Sequence, residues 1–148
     1  MNIKSGIDLV EVNRLKHAYK NFGERFLKRI YDPIEIEQFN KKSERIKPHF
    51  LAKNFAAKEA VSKVLGVGFS QGVRPRDIVV IRKYGPPQIE LKGKAKALAL
   101  KKGINDISIS LSDTNVLAMA TAQKYDLVIH EKVCNDVITF FRVNQKLS

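Results

Sequence analysis

The stretch Leu51-Ala-Lys53-Asn-Phe55-Ala-Ala-Lys58-Glu59-Ala60-Val61-Ser-Lys63 decides how this chain folds. It is rich in alanine and free of glycine and proline, so it predicts a helix. Leu51, Phe55, Val61 and Leu65 mark an apolar stripe for that helix to bury. Gly66 is suited to its C-terminal cap. Glu59 and Lys63 stand one turn apart beside the small Ala56 and Ala60, where another chain or a flat ligand could approach closely. Taken alone, Glu59 and Lys63 read as an ion pair on a solvated helix, worth about 0.3–0.5 kcal/mol.

On the N-terminal side, Lys41 to Pro48 is polar and reads as a loop. Asp32 is placed to cap a helix that starts at Pro33 and runs to about Lys42. Val12, Leu15, Tyr19 and Phe22 follow 3-4-3 spacing, which predicts an amphipathic helix over 11–22 that stops at Gly23. Arg14, His17 and Asn21 fall on its outward face, and a second helical piece spans Glu24 to Ile30. Before these lies a short apolar strand, Ile3 to Val10, carrying one carboxylate, Asp8. By itself Asp8 reads first as a capping or turn residue.

On the C-terminal side the period changes. Ile78–Ile81 and Ile89–Leu91 form the arms of a hairpin around Gly85-Pro86-Pro87. Ala95 to Lys102 predicts a lysine-rich helix ended by Gly103. Ile107, Ile109 and Leu111 alternate with Ser108, Ser110 and Ser112, the pattern of a strand with one buried face. Val116 to Ala122 is its partner, and Ala118, Ala120 and Ala122 predict close packing on another layer. The fold class is α+β, an antiparallel sheet covered by helices. Residues 1–123 make one domain, and 124–148 a C-terminal extension in which Val133, Val137 and Phe140 are helically spaced.

Charge narrows the partners. The 148 residues hold 27 basic and 15 acidic groups, a net charge of +12, which calls for an anionic partner. Arg14, Lys16, Lys20, Arg25, Lys28 and Arg29 crowd into one segment. A basic nucleic-acid-binding protein is the rival reading. It lacks support, because there is no Trp and the Phe residues sit mostly at core spacings, so no nucleic acid is expected. No apolar run reaches the ~18 residues of a bilayer helix, so no membrane is expected either. One cysteine, Cys134, excludes an internal disulfide and suits a reducing, cytoplasmic setting. His17, His49, His130 and Cys134 lack zinc spacing.

Gly6-Ile7-Asp8, then Phe55-Ala-Ala-Lys58-Glu59-Ala60 with Lys63, then Gly66-Val-Gly68 resemble, in that order, the holo-[acyl-carrier-protein] synthase family of 4′-phosphopantetheinyl transferases. The resemblance covers roughly residues 3 to 123. It implies the 4′-phosphopantetheinyl transferase-like fold and transfer of phosphopantetheine from coenzyme A to a serine of an acyl carrier protein for fatty acid synthesis. It assigns Asp8 and Glu59 to Mg²⁺, with Mn²⁺ as the alternative metal, and makes Lys63, Glu59 and Asp8 the catalytic set. Gly66 and Gly68 would lie against coenzyme A together with Lys63, with Lys53 and Arg45 on the nucleotide phosphates. The carrier would dock on Arg14, Arg25, Lys28 and Arg29. Members of this length build trimers, which would bury Ala118 and Ala120 near a threefold axis. Many members carry histidines where this chain has Asp106 and Leu111, so an inactive relative serving as an interaction module is a further alternative.

Overall fold

The computed structural model describes residues 4–124, so the helix expected in the tail lies outside the described residues. In chain order the elements are β1 (Lys4–Glu11), α1 (Val12–Ile30), α2 (Pro33–Asn40), α3 (Lys47–Leu65), β2 (Ile78–Ile81), β3 (Gln88–Leu91), α4 (Gly93–Lys101), β4 (Ile107–Asp113) and β5 (Leu117–Lys124). Strands β1, β5 and β4 pair antiparallel in that order, and β2 and β3 form a separate hairpin. Helix α3 packs on the inner face of the three-stranded sheet, with α1, α2 and the hairpin also against it.

This arrangement buries α3 on most sides. Ala52, Ala56, Ala57 and Ala60 are as buried as Leu51, Val61 and Leu65, while Phe55 of the expected stripe is only half-buried. The reason lies in β1. A Cβ at Gly6 would sit 2.1 Å from the Ala60 carbonyl oxygen, so only glycine lets the strand lie this close to the helix. The close approach expected at Ala56 and Ala60 is therefore made by the chain's own sheet, not by a ligand or another chain.

Register sorts the sheet into two faces. Gly6, Asp8 and Val10 stand opposite Ala122, Ala120 and Ala118 and face α3. Ala118 and Ala120 are 0% exposed within one chain, which corrects the expectation that they meet at a threefold axis. The alternate residues Ile7, Leu9 and Met119 remain exposed on the outer face.

Helix α1 consists of two segments across a kink at Gly23 (φ 51°, ψ −131°). Val12 and Leu15 are buried before it and Leu27 after it, but Phe22 is 63% exposed rather than part of the core stripe. The turn at Gly23 gives the inward positions of the second segment to Phe26 and Leu27. Helix α2 opens with a capping box. The Asp32 carboxylate accepts from the Ile34 N–H, and Glu35 Oε2 accepts from the Asp32 N–H.

Glu35 does more than cap. Its Oε2 accepts from Lys58 Nζ at 2.6 Å, and both side chains are fully buried. Lys58 also donates to the carbonyls of Ile78 (2.5 Å) and Pro75 (3.2 Å), and Asn54 Nδ2 donates to Glu35 Oε1. Burial lowers the Lys58 pKa, against the opposing pull of Glu35. This network ties α2, α3 and the start of β2 together, and it holds the residue immediately before Glu59.

Candidate active site

The packing of Gly6 on Ala60 has a chemical consequence two residues along the strand, at Asp8. Lys63 Nζ donates to Asp8 Oδ1 at 3.0 Å and to the Ile7 carbonyl at 2.6 Å. The expected helical pair is thus replaced, because Lys63 turns from Glu59 toward β1. The Glu59 carboxyl is pushed above its ordinary range, chiefly by burial and then by the Asp8 charge, while Lys63 and Arg14 pull it down. Asp8, Glu59, Lys63 and Arg14 therefore form one electrostatic cluster. Arg14, assigned from sequence only to carrier docking, also reaches this cluster with its field.

Two mutually repelling carboxylates at a half-buried position suit a divalent cation. No group of three or more His, Cys, Asp or Glu gathers among the described residues. The remaining ligands would then be water and substrate oxygens, which fits Mg²⁺, an ion that keeps several waters. Mn²⁺ suits the same oxygens.

Immediately beyond Lys63 the helix ends at Gly66 (φ 80°, ψ 20°), whose N–H donates to the carbonyls of Ser62 and Lys63. Gly68 (φ 57°) donates to the Ser62 carbonyl at 3.3 Å. Both positive φ values favour glycine, and neither position carries a side chain of its own to hold a ligand off the backbone.

Lys53 lies six residues before Glu59, about 9 Å along the helix axis. Its Nζ bonds Asp113 Oδ1 at 2.8 Å, and His49 Nδ1 meets Asp113 Oδ2 at 2.9 Å. Half-buried Arg82 lies nearby, its NH2 group donating to Asn54 Oδ1 at 2.6 Å. Arg45 sits exposed on the turn before α3. Burial raises the Asp113 pKa, but the hydrogen bonds and charges of Lys53 and His49 win and hold it low. A depressed carboxylate contributes stability above its unfolded pKa and loses it as pH falls through the folded value. Asp113→Asn should therefore flatten the acid limb of the stability curve below about pH 4. Urea melts at several pH values check this, and an unchanged limb would contradict it.

The basic segment divides by position. Arg25 and Arg29 line a shallow groove with Ala18, Phe22, Phe26 and Ile30. Lys28 is exposed and paired with Glu24 at 2.9 Å.

A sequence model described as the 4′-phosphopantetheinyl transferase superfamily matches residues 4–125. The chain belongs to that superfamily. It is 45% identical to a holo-[acyl-carrier-protein] synthase of Thermoanaerobacter sp. over 123 residues, 82% of this chain and 86% of that protein. The crystal structure of the Neisseria meningitidis holo-[acyl-carrier-protein] synthase superposes with a TM-score of 0.74 at 30% identity, covering 82% of this chain and 96% of that one. The Helicobacter pylori holo-[acyl-carrier-protein] synthase, solved in complex with coenzyme A, superposes with a TM-score of 0.71 at 30% identity, covering 82% and 100%. Within this superfamily fold, sequence reading weighed His49 only as a zinc ligand and passed over its pairing with Asp113, Arg82, and the reach of Arg14 to Glu59. Only the spacing of His49 and Lys53, one turn apart on α3, carried any signal of a cluster.

Proposed function

We propose that this chain is an Mg²⁺-dependent holo-[acyl-carrier-protein] synthase. It moves 4′-phosphopantetheine from coenzyme A to a serine of an apo-acyl carrier protein serving fatty acid synthesis. The observation that carries this reading is the seating of Gly6 against Ala60, which brings Asp8 beside Lys63 and within the field of Glu59. The identity to synthases along most of the chain supports it. Family membership and the three clustered groups also favour an enzyme over the interaction-module alternative.

In the reaction the serine oxygen bonds to the phosphorus that bears pantetheine. The serine O–H bond and the bond from that phosphorus to the nucleotide part break, adenosine 3′,5′-bisphosphate leaves, and the hydroxyl proton passes to solvent. Mg²⁺, or Mn²⁺, when bound supplies charge neutralisation to the diphosphate. Asp8 and Glu59 would hold the metal. Lys63 exchanges its bond to Asp8 for the donor phosphate, adding a positive charge where negative charge gathers. The Gly66–Gly68 turn admits the coenzyme close to the backbone, and Lys53 and Arg45 serve the nucleotide phosphates. Release of the bisphosphate only when coenzyme A and apo-carrier are both present supports this reaction. Release without carrier would replace it with simple hydrolysis.

The carrier docks on α1. Arg25 and Arg29 flank an apolar floor that includes Phe22, which suits a helix that is acidic with an apolar stripe. Arg14 connects this surface to the carboxylate cluster. Lys28, already paired with Glu24, contributes less. Reversing charge at Arg25 and Arg29 together should raise the carrier KM by about tenfold or more and leave the coenzyme A KM alone. An unchanged carrier KM in that double variant would refute the docking surface.

The assembly is a homotrimer. Ile7, Leu9 and Met119 offer an exposed apolar sheet face, and it is this face, not the alanine face, that would meet neighbouring copies. Light scattering at assay concentrations should report the trimer, and an active monomer would contradict it. The site of action is the cytoplasm, as the role in fatty acid synthesis and the lone Cys134 suggest. No helix among the described residues is long and apolar enough to cross a membrane.

A further inference from the structure

Helix α4 packs against α3, and its C-terminal end reaches the glycine turn. Lys102, the first residue past α4, donates from Nζ to the carbonyl of Leu65 at 2.5 Å. Leu65 is the last residue of α3, and its carbonyl is one of the four that a helix end leaves without an intrahelical partner. That end also carries the negative pole of the helix, which draws a cation. The same ammonium stands 3.2 Å from where a Cβ at Gly66 would lie, so the side chain rests on the turn itself.

The anchor of this strut is fixed. The Lys102 N–H donates to the carbonyls of Leu98 and Ala99, and the Ile104 N–H donates to Ala99 as the chain leaves the helix. Buried Ala99 and Ile104 hold that corner in the core. At the far end of the turn, the stem of Lys94 lies over Gly72, with Cδ 2.8 Å from where a Cβ would sit there. The segment from Gly66 to Gly72 is thus bracketed by two lysines of the α4 region.

We infer that Lys102 is a positioning residue for coenzyme A. Through the Leu65 carbonyl it fixes the direction in which the Gly66–Gly68 turn leaves α3. This rests on the proposed reading that the turn faces coenzyme A, and it assigns Lys102 no contact with the reacting atoms. Loss of the strut would loosen the donor site and leave the carrier surface on α1 as it is.

The test compares wild type with Lys102→Met, Lys102→Arg and Lys101→Met, the last removing the same charge from the neighbouring exposed residue. Steady-state kinetics would be run for each substrate, with thermal midpoints in parallel. Lys102→Met should raise the coenzyme A KM about tenfold, the scale of one charged hydrogen bond, and leave the carrier KM within about twofold. Lys102→Arg, which keeps cation and donor, should return most of the loss, and Lys101→Met should match wild type. A lowered thermal midpoint with an unchanged coenzyme A KM would overturn the inference, leaving Lys102 merely structural. Equal KM rises for Lys101→Met and Lys102→Met would also overturn it, pointing to net charge alone. A wild-type chain that neither binds coenzyme A nor transfers would overturn the functional reading along with it. Active wild type with an indifferent Lys102→Met overturns this inference only.

Discussion

Replacing Asp8 with Asn, or Glu59 with Gln, is expected to lower transfer by about two orders of magnitude or more while the chain stays folded. Each change keeps the shape of the side chain and removes one anionic oxygen from the pair that would hold the metal. Neither opens a cavity, so no large stability loss is expected. Burial and the Asp8 charge both disfavour the Glu59 carboxylate, and Glu59→Gln relieves both costs. Asp8→Asn costs Lys63 its ionic partner, but that pair is half open to solvent on the lysine side and contributes little. Turnover measured over a range of Mg²⁺ concentrations, with circular dichroism as the fold control, checks this. Near-normal turnover in either folded variant would remove the metal assignment.

Lys58→Met should destabilise the chain by about 3–5 kcal/mol, because it leaves the fully buried Glu35 as a charge without its cation. The carbonyls of Ile78 and Pro75 lose their donor in the same step. Adding Glu35→Gln to Lys58→Met should recover part of the loss, since a neutral amide costs less to bury than an unpaired carboxylate. Urea denaturation of the single and double variants measures both numbers. A single-variant loss below about 1 kcal/mol would mean that the pair does not hold α2 to α3.

These two sites differ in how much of them the sequence makes legible. Elements with a strong period were readable: the Ser–Ile alternation of β4, the hairpin around Gly85, the Asp32 cap, and a break in α1 at Gly23. Their signal is local, carried by neighbours within one turn or one strand. The burial of α3 was not readable from its apolar stripe. Alanine contributes little to a stripe, yet it becomes the most buried residue where a glycine strand comes this close. Ala118 and Ala120 misled for the same reason, since small residues announce close packing without naming the partner.

Lys58 was still less legible. A lysine in an alanine-rich helix reads as solvated, and its burial depends on Glu35, 23 residues earlier in sequence. His49 and Asp113 meet across 64 residues, so helical spacing alone could not pair them. In contrast, Asp8, Glu59, Lys63, Gly66 and Gly68 were singled out by resemblance. The fold then brings Asp8 beside Lys63 and Glu59, with the Gly66–Gly68 turn directly beyond Lys63. Their roles in metal and coenzyme binding are what the variants above test.

The most direct test of the central claim is the intact mass of an apo-acyl carrier protein after incubation with this chain, coenzyme A and Mg²⁺. The account predicts that the carrier gains the mass of one phosphopantetheine. The gain should be lost when the acceptor serine is replaced by alanine or the metal is removed by a chelator. A carrier whose mass is unchanged in the complete mixture, with the chain shown to be folded, would contradict the account.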